Sequence, residues 1–266
     1  MKETTNPNGR ALAGHFYAVG VGPGAPDLVT LRAARLIESA DTIIAPRSKL
    51  ARESLSLVTV RDLIHDQEVV EVVYAMKRDL QQTIARWTEM ARLTAQRCEE
   101  GRSVVQITVG DPMIYSTSHY LLQLIKELLP DERIHVVPGI SAFQSVAGRF
   151  GESLSIQEDR LMLMPATDLR RVEEALQQCE TLVLYKAGRY VGEIADLLQR
   201  KGLLDRARLV CNAEQPDKEF VTSDLRQAAG GRYGYMATII VHIARQQWNG
   251  SGTPKQGTSK KGAMGE

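Results

Sequence analysis

Residues 16–46 read FYAVGVGPGAPDLVTLRAARLIESADTIIAP. FYAVGV (16–21) has the composition of a strand, and GVGPGA turns the chain. Leu28, Leu31, Ala34 and Ile37 then recur at roughly helical spacing, with Asp27 placed to cap that helix. TIIAP (42–46) predicts a second strand, stopped at Pro46. A strand, a glycine-rich turn, a helix and a strand make one α/β unit.

The turn has competing readings. Gly20, Gly22 and Ala25 satisfy G-x-G-x-x-A, the pattern of a dinucleotide loop. Two features count against phosphate binding. Pro23 removes a backbone N–H where the pyrophosphate needs donors. The second strand ends in Ala45-Pro46-Arg47 and not in an acid for a ribose, although Arg47 would suit the 2′-phosphate of NADP. An NADP-dependent oxidoreductase is one expectation to weigh. A turn needed only for tight geometry is another, and a turn lining a cleft for a phosphate-free ligand is a third.

Outward from this stretch the alternation continues. VVEVV (69–73) reads as a strand, and residues from about 77 to 100 as a long helix with Leu80, Ile84, Trp87, Ala91, Thr94 and Cys98 on one face, closed by Gly101. SVVQITV (103–109) is a continuous apolar strand of the kind buried in a parallel sheet. It runs into GDPMIYSTSHY and a helix with Leu121, Leu124, Ile125 and Leu128. VVPGISAF (136–143) opens a second series, in which LMLMPA, TLVLYKAG and ARLVCNAE are strands between helices, and KEFVTSDL and YMATIIVHI form a closing strand pair. The expected architecture is α/β: two domains, 14–132 and 136–246, each on a largely parallel sheet, with residues 1–13 and 249–266 as disordered tails.

The 266 residues include 33 basic and 32 acidic ones, a net charge of +1, which argues against a general polyanion binder and against nucleic acid as partner. Three cysteines, Cys98, Cys179 and Cys211, lack CxxC spacing and sit at apolar positions. They read as core filler in a reducing cytoplasm, with no metal site. The N-terminus lacks an apolar signal region, and no apolar run nears the ~18 residues of a membrane span.

The whole pattern resembles the tetrapyrrole methylases, the class III S-adenosylmethionine-dependent methyltransferases. VGVGPGAPDLVTLRAARLIESADTIIAP resembles their N-terminal signature, VGDPMIYST (109–117) their GDP turn and VVPGISAF their domain junction. LVLYKAGR (182–189), CNAEQPDKE (211–219) and YMATIIV (235–241) resemble later segments, in the family's order. GDPMIYSTSHYL and the lysine of LYKAGR look most like members that methylate carbon 20 of precorrin-2 or of its cobalt-containing counterpart. His119, where an apolar residue is expected, and Met236-Ala237-Thr238 depart from that pattern.

The resemblance implies S-adenosylmethionine as methyl donor, S-adenosylhomocysteine as product, a tetrapyrrole substrate, a homodimer and an active-site cleft between the domains. It places Pro23, Gly110, Asp111, Ile114, Thr117, Ser141, Ala142, Lys186, Ala213, Ala237 and Thr238 at the donor. The donor carries no phosphate, so Pro23 is no obstacle. Asp111 and Ser141 also have plainer readings, as a turn aspartate before proline and as a helix N-cap. An electron-rich ring carbon needs alignment and dryness more than an activated nucleophile. Asp111, Tyr115, His119 and Glu214 are candidates to accept a proton afterwards, with a solvent-facing helix position the plainer reading for His119. Substrate carboxylates would suit Arg47, Lys49, Arg52, Lys186 and Arg189. The rivals are a family member acting on another precorrin, RNA or protein, the NADP enzyme, and a tetrapyrrole-binding module without turnover.

Overall fold

The computed structural model describes residues 5, 6, 8–48, 51–74, 80–231 and 233–244. The chain divides after Ser141 into two units. That boundary falls a few residues later than the 132–136 expected, because Pro138 to Ser141 pack with the first unit's strand ends.

The first unit contains β1 (Phe16–Gly20), α1 (Leu31–Ser39), β2 (Thr42–Ser48), α2 (Leu55–Thr59), β3 (Glu68–Tyr74), α3 (Leu80–Glu99), β4 (Val104–Thr108), α4 (Ser118–Ile125) and β5 (Ile134–Val137). Its sheet has the order β3-β2-β4-β1-β5 and is parallel throughout. Every residue of β1 and β4 is buried, as their apolar runs require of central strands. Tyr17, Val19, Ile43, Val105 and Ile107 face one layer with Leu36 and Ile37 of α1. Phe16, Ala18, Ile44 and Val104 face the other, under Ala91 and Cys98 of α3 and Leu121 and Ile125 of α4. Trp87 of α3 stacks on Tyr120 of α4 with centroids 4.1 Å apart.

Three local expectations change. Asp27 does not cap α1: Pro26–Leu28 form a separate 3-10 turn, Val29 is extended, and the Thr30 hydroxyl accepts the Ala33 N–H. The buried face of α1 is accordingly Ala33, Leu36 and Ile37, while Leu31 is exposed. β2 does not stop at Pro46. It pairs with β4 only through Ile44 but with β3 as far as Ser48. β4 no longer pairs with β2 at Pro46, and there the Pro46 carbonyl accepts from the Ser54 hydroxyl, so a residue without an N–H is tolerated. The described part of the supposed N-terminal tail is also tied down, with Ala11 N–H on the Ser39 hydroxyl and Leu12 N–H on Tyr17.

The second unit contains α5 (Ala142–Phe150), β6 (Leu161–Pro165), α6 (Leu169–Ala175), β7 (Thr181–Tyr185), α7 (Val191–Arg200), β8 (Ala207–Cys211), β9 (Phe220–Thr222), α8 (Leu225–Ala228) and β10 (Ala237–His242). Its sheet has the order β6-β7-β10-β8-β9. β6, β7 and β8 run one way and β9 and β10 the other, so this sheet is mixed. β9 and β10 do not pair with each other. The apolar β10, buried along almost its whole length, fits centrally between β7 and β8, whereas the short, half-exposed β9 suits an edge. Val172, Ile194 and Leu198 of α6 and α7 cover one face, and Val146 of α5 covers Val183, Val210 and Ile240 on the other.

All three cysteines are buried and free. Burial pushes the Cys98 and Cys211 thiols up to about 12 and Cys179 to about 11, so they remain protonated and unreactive. Among the described residues, no helix is long and apolar enough to cross a membrane, and no cluster of three metal-binding side chains occurs.

Glu180, just before β7, accepts the Arg160 backbone N–H at 2.7 Å and the Arg160 guanidinium at 2.8 and 3.1 Å. These bonds hold its carboxyl down to about 2. A folded-state value below the unfolded one, ~4.3, stabilises the native state above that pH, and the contribution fades as pH falls toward 2. Arg160 is largely exposed, and screening leaves about 1 kcal/mol. Glu180→Gln is therefore expected to lower stability by about that much at pH 7, with the gap closing at acid pH. Urea titrations of both proteins at several pH values check this, and a gap independent of pH would contradict it.

Candidate functional site

In the first unit the candidate residues collect at the carboxyl end of the parallel sheet, where open α/β sheets place ligands. Three backbone segments converge there: Gly20–Pro23 after β1, Gly110–Asp111 after β4 and Pro138–Gly139 after β5. The Gly110 N–H donates to the Gly22 carbonyl at 2.7 Å, bridging the first two. A Cβ on Gly20 would lie 2.7 Å from the Gly139 nitrogen, and one on Gly139 would lie 2.8 Å from the Gly20 Cα. Only glycines allow this approach. Gly110 has a φ of +73°, and the nearest atom to its missing Cβ is the Ser141 Cα.

Asp111 joins these segments. One carboxylate oxygen accepts the Met113 N–H at 2.8 Å and the other accepts the Gly139 N–H at 3.0 Å. The first is the local bond expected of an aspartate before proline. The second, across 28 residues, was not legible in the spacing. A carboxylate so engaged is well placed to hold the turn, and its use as a proton acceptor would compete with both bonds. Pro23 is buried behind the loop, Ile114 and Thr117 are half-buried, and Ser141 is buried. Tyr115 is exposed and held at φ +50°, and His119 is exposed on α4 with its ring edge against Tyr120. The Thr108 hydroxyl meets Ser116 at 3.2 Å, and Ser116 bonds Ser118 at the start of α4.

The phosphate reading of the opening loop fails on geometry. The loop does not enter a helix N-terminus, because the 3-10 turn and Val29 intervene and Thr30 satisfies the first turn of α1 itself. Gly22, at φ +78° with the Leu28 carbonyl 2.8 Å from where its Cβ would be, serves the tight return.

In the second unit the candidates also gather at one sheet end. Lys186 follows β7, Ala213 follows β8, and Ala237 and Thr238 begin the antiparallel β10. Ala237 stands opposite Cys211 and Thr238 opposite Val210, and the Asn212 N–H donates to the Met236 carbonyl at 2.8 Å. Ala213, Ala237 and Thr238 are buried, so each offers backbone groups and a small wall. Lys186 sits at φ +58° with its ammonium 5.2 Å from the Tyr235 ring centroid. Ala142 is the first residue of α5.

Of the carboxylate binders, Arg47 is already engaged, with Nε 2.9 Å from Glu71 and a bond to the Ala51 carbonyl. Arg189 is exposed in the turn after Lys186, and Lys49 lies outside the described residues. Sequence reasoning missed the backbone strain. Among the described residues, the left-handed non-glycines are Tyr115, Gln157, Lys186, Asn212 and Glu214, and all but Gln157 occupy these strand ends. Such conformations cost roughly 1–3 kcal/mol each and persist where function holds them. Tyr, Lys and Glu give no signal of it in sequence.

The family model of the tetrapyrrole (corrin/porphyrin) methylases matches residues 15–229. The chain is 35% identical to the cobalt-precorrin-2 C(20)-methyltransferase of Salmonella typhimurium, over 89% of this chain and 98% of that protein. It is 25% identical to the precorrin-2 C(20)-methyltransferase of a Sinorhizobium species, over 86% of this chain and 95% of that one. In fold it is similar to the cobalt precorrin-4 methyltransferase CbiF, with TM-score 0.66 and 22% identity over 86% of this chain and 94% of that one. A uroporphyrin-III C-methyltransferase from Thermus thermophilus, solved with S-adenosylhomocysteine, gives TM-score 0.58 and 24% identity over 85% and 96% of the two chains. With a family match across residues 15–229 and a relative 35% identical over 89% of its length, this chain belongs to the tetrapyrrole methylases.

Proposed function

We propose that the protein transfers a methyl group from S-adenosylmethionine to carbon 20 of precorrin-2 or of cobalt-factor II, in corrin ring synthesis. The observation that carries this reading is 35% identity to a cobalt-precorrin-2 C(20)-methyltransferase along nearly the whole of both chains.

The residues present suit the donor's chemistry. It is a zwitterion with a sulfonium, a ribose and an adenine, and it calls for carbonyls, N–H groups and close backbone approach. Gly20, Gly110 and Gly139 supply that approach, and the opening loop does not lead directly into the N-terminus of α1, whose first turn Thr30 caps. Pro23, Gly110, Asp111, Ile114, Thr117 and Ser141 would hold the donor from the first unit. The second unit's own candidates for donor contacts are Ala142, the Lys186 backbone, Ala213, Ala237 and Thr238. When bound, S-adenosylmethionine supplies an electrophilic methyl group on a cationic sulfur.

This chain's task is then to fix geometry and keep water out, for which rigid strand ends are suited. Asp111 fixes the GDP turn through two backbone N–H groups. Tyr115 and His119, both exposed, are the side chains left to take up a proton after transfer. Arg189 and the Lys186 ammonium are the candidates for substrate carboxylates. Arg47 would have to leave Glu71 to join them, and Lys49 is a candidate from sequence alone. The working form is read as a cytoplasmic homodimer, which sedimentation equilibrium tests.

The decisive experiment incubates precorrin-2 and cobalt-factor II separately with the protein and methyl-labelled donor. Mass spectrometry should find one added methyl on one of them, and nuclear magnetic resonance should place it at carbon 20. Label found only in RNA or protein, or at another carbon, would overturn the assignment.

A further inference from the structure

The segment after β8 is held by a polar network that the donor-binding reading leaves unexplained. Asn212 at φ +51° and Glu214 at φ +61° are both left-handed, one on each side of Ala213. Asparagine adopts this region more readily than most residues, but glutamate has no such preference. The Asn212 side chain bonds the nearby Lys218 carbonyl, and Glu214 draws on contacts from outside the segment.

The Glu214 carboxylate is gripped at both oxygens. The Ser145 hydroxyl donates to one at 2.5 Å and an Arg149 guanidinium nitrogen to the other at 3.1 Å. The same Arg149 nitrogen lies 3.0 Å from Glu219, whose other oxygen accepts the Glu214 backbone N–H at 2.8 Å. Ser145 and Arg149 stand one turn apart on α5, and Ser145 is three residues after Ala142. Apolar packing already fixes α5 against the sheet through Val146, Val183, Val210 and Ile240, with Ala213 in the same cluster. A bond from Ser145 to Glu214 therefore sets the β8 segment against a rigid reference and fixes Ala213 relative to Ala142.

We propose that Ser145, Arg149 and Glu214 form a positioning clamp, which holds residues 212–214 in the strained geometry that presents the Ala213 backbone to the methyl donor. Glu214 acts through Ala213 and is not the proton acceptor, since both its oxygens are committed. The inference rests on the donor-binding reading above, in which Ala142 and Ala213 both touch the donor.

The test uses the full chain and S-adenosylhomocysteine in isothermal titration, with donor-dependent kinetics on precorrin-2. Ser145→Ala should weaken S-adenosylhomocysteine roughly 5-fold and Glu214→Ala roughly 10-fold or more, less than or near the full loss of a charge-assisted hydrogen bond because the effect reaches the donor only through Ala213. The donor KM should rise in step, while kcat at saturating donor and the KM for precorrin-2 stay near wild type. Ser145→Thr, which keeps the hydroxyl, should restore affinity. Glu214→Gly permits the left-handed backbone but removes the grip, and it should bind as poorly as Glu214→Ala. Unchanged affinity in Ser145→Ala and Glu214→Gly would overturn the clamp, even if melting temperatures fall. A collapse of kcat in Glu214→Ala with unchanged donor affinity would overturn it too, by making Glu214 the base. Failure of the donor-binding reading looks different, because the unsubstituted protein would then give no heat with S-adenosylhomocysteine.

Discussion

Gly20→Ala is expected to cost the first unit about 3 kcal/mol, the upper end of ordinary overpacking. The added methyl would sit 2.7 Å from the Gly139 nitrogen and 2.8 Å from the Gly139 Cα. Backbone on both sides bars relief. β1 is hydrogen-bonded to β4 through Gly20↔Thr108 and to β5 through Val19↔Val137, so neither strand can yield without breaking ladder bonds. A marginally stable unit has only some 5–15 kcal/mol in reserve, so the loss should be plain in urea titration as a shifted midpoint. Gly139→Ala meets the same contact from the other side, and the double variant should cost less than the two singles combined. Gly101→Ala is the control. It is left-handed at φ +81° but faces open space, so only the conformational cost of about 1 kcal/mol applies. A Gly20→Ala protein as stable as Gly101→Ala would show that the three strand-end segments are not in contact as described.

Asp111→Ala should weaken S-adenosylhomocysteine by roughly 30-fold, about 2 kcal/mol, while global stability falls by less. The asymmetry follows from where the two bonds lie. Both tie loop backbone, at Met113 and Gly139, outside the strand ladders and the apolar layers that carry the unit's stability. Removing the carboxylate frees the GDP turn from the Pro138–Gly139 turn, and the donor must then pay for their ordering. Asp111→Asn should recover little, because its NH2 would face one of the two N–H groups that the carboxylate accepts. Calorimetry with S-adenosylhomocysteine beside thermal denaturation separates the effects. A lowered melting temperature with unaltered affinity would reduce Asp111 to a structural turn residue.

Much of this was legible in the chain. Continuous apolar runs such as VVQIT betray central parallel strands, since a strand buried on both faces has no polar side to show. The motifs GVGPGA, VGDPMIYST and VVPGISAF, in order, marked the three loops that meet in the first unit. The order and type of elements came through better than their limits. Asp27 is the cap the spacing suggests, and Thr30 takes that place because Pro26 starts a separate turn. Pro46 looked like a stop because its one-sided hydrogen bonding depends on which neighbour has already ended.

What the sequence determined by itself was the α/β class, the family and the set of glycines and small residues at the strand ends, because these follow from local pattern and from motifs a few residues long. What only the tertiary structure decided was pairing at a distance: β10 between β7 and β8, Asp111 on Gly139, and Glu214 between Ser145 and Arg149. The physical reason is common to all three. A strand's neighbours, a carboxylate's second partner and a left-handed glutamate are fixed by contacts between segments far apart in the chain, and nothing in the residues beside them records the choice.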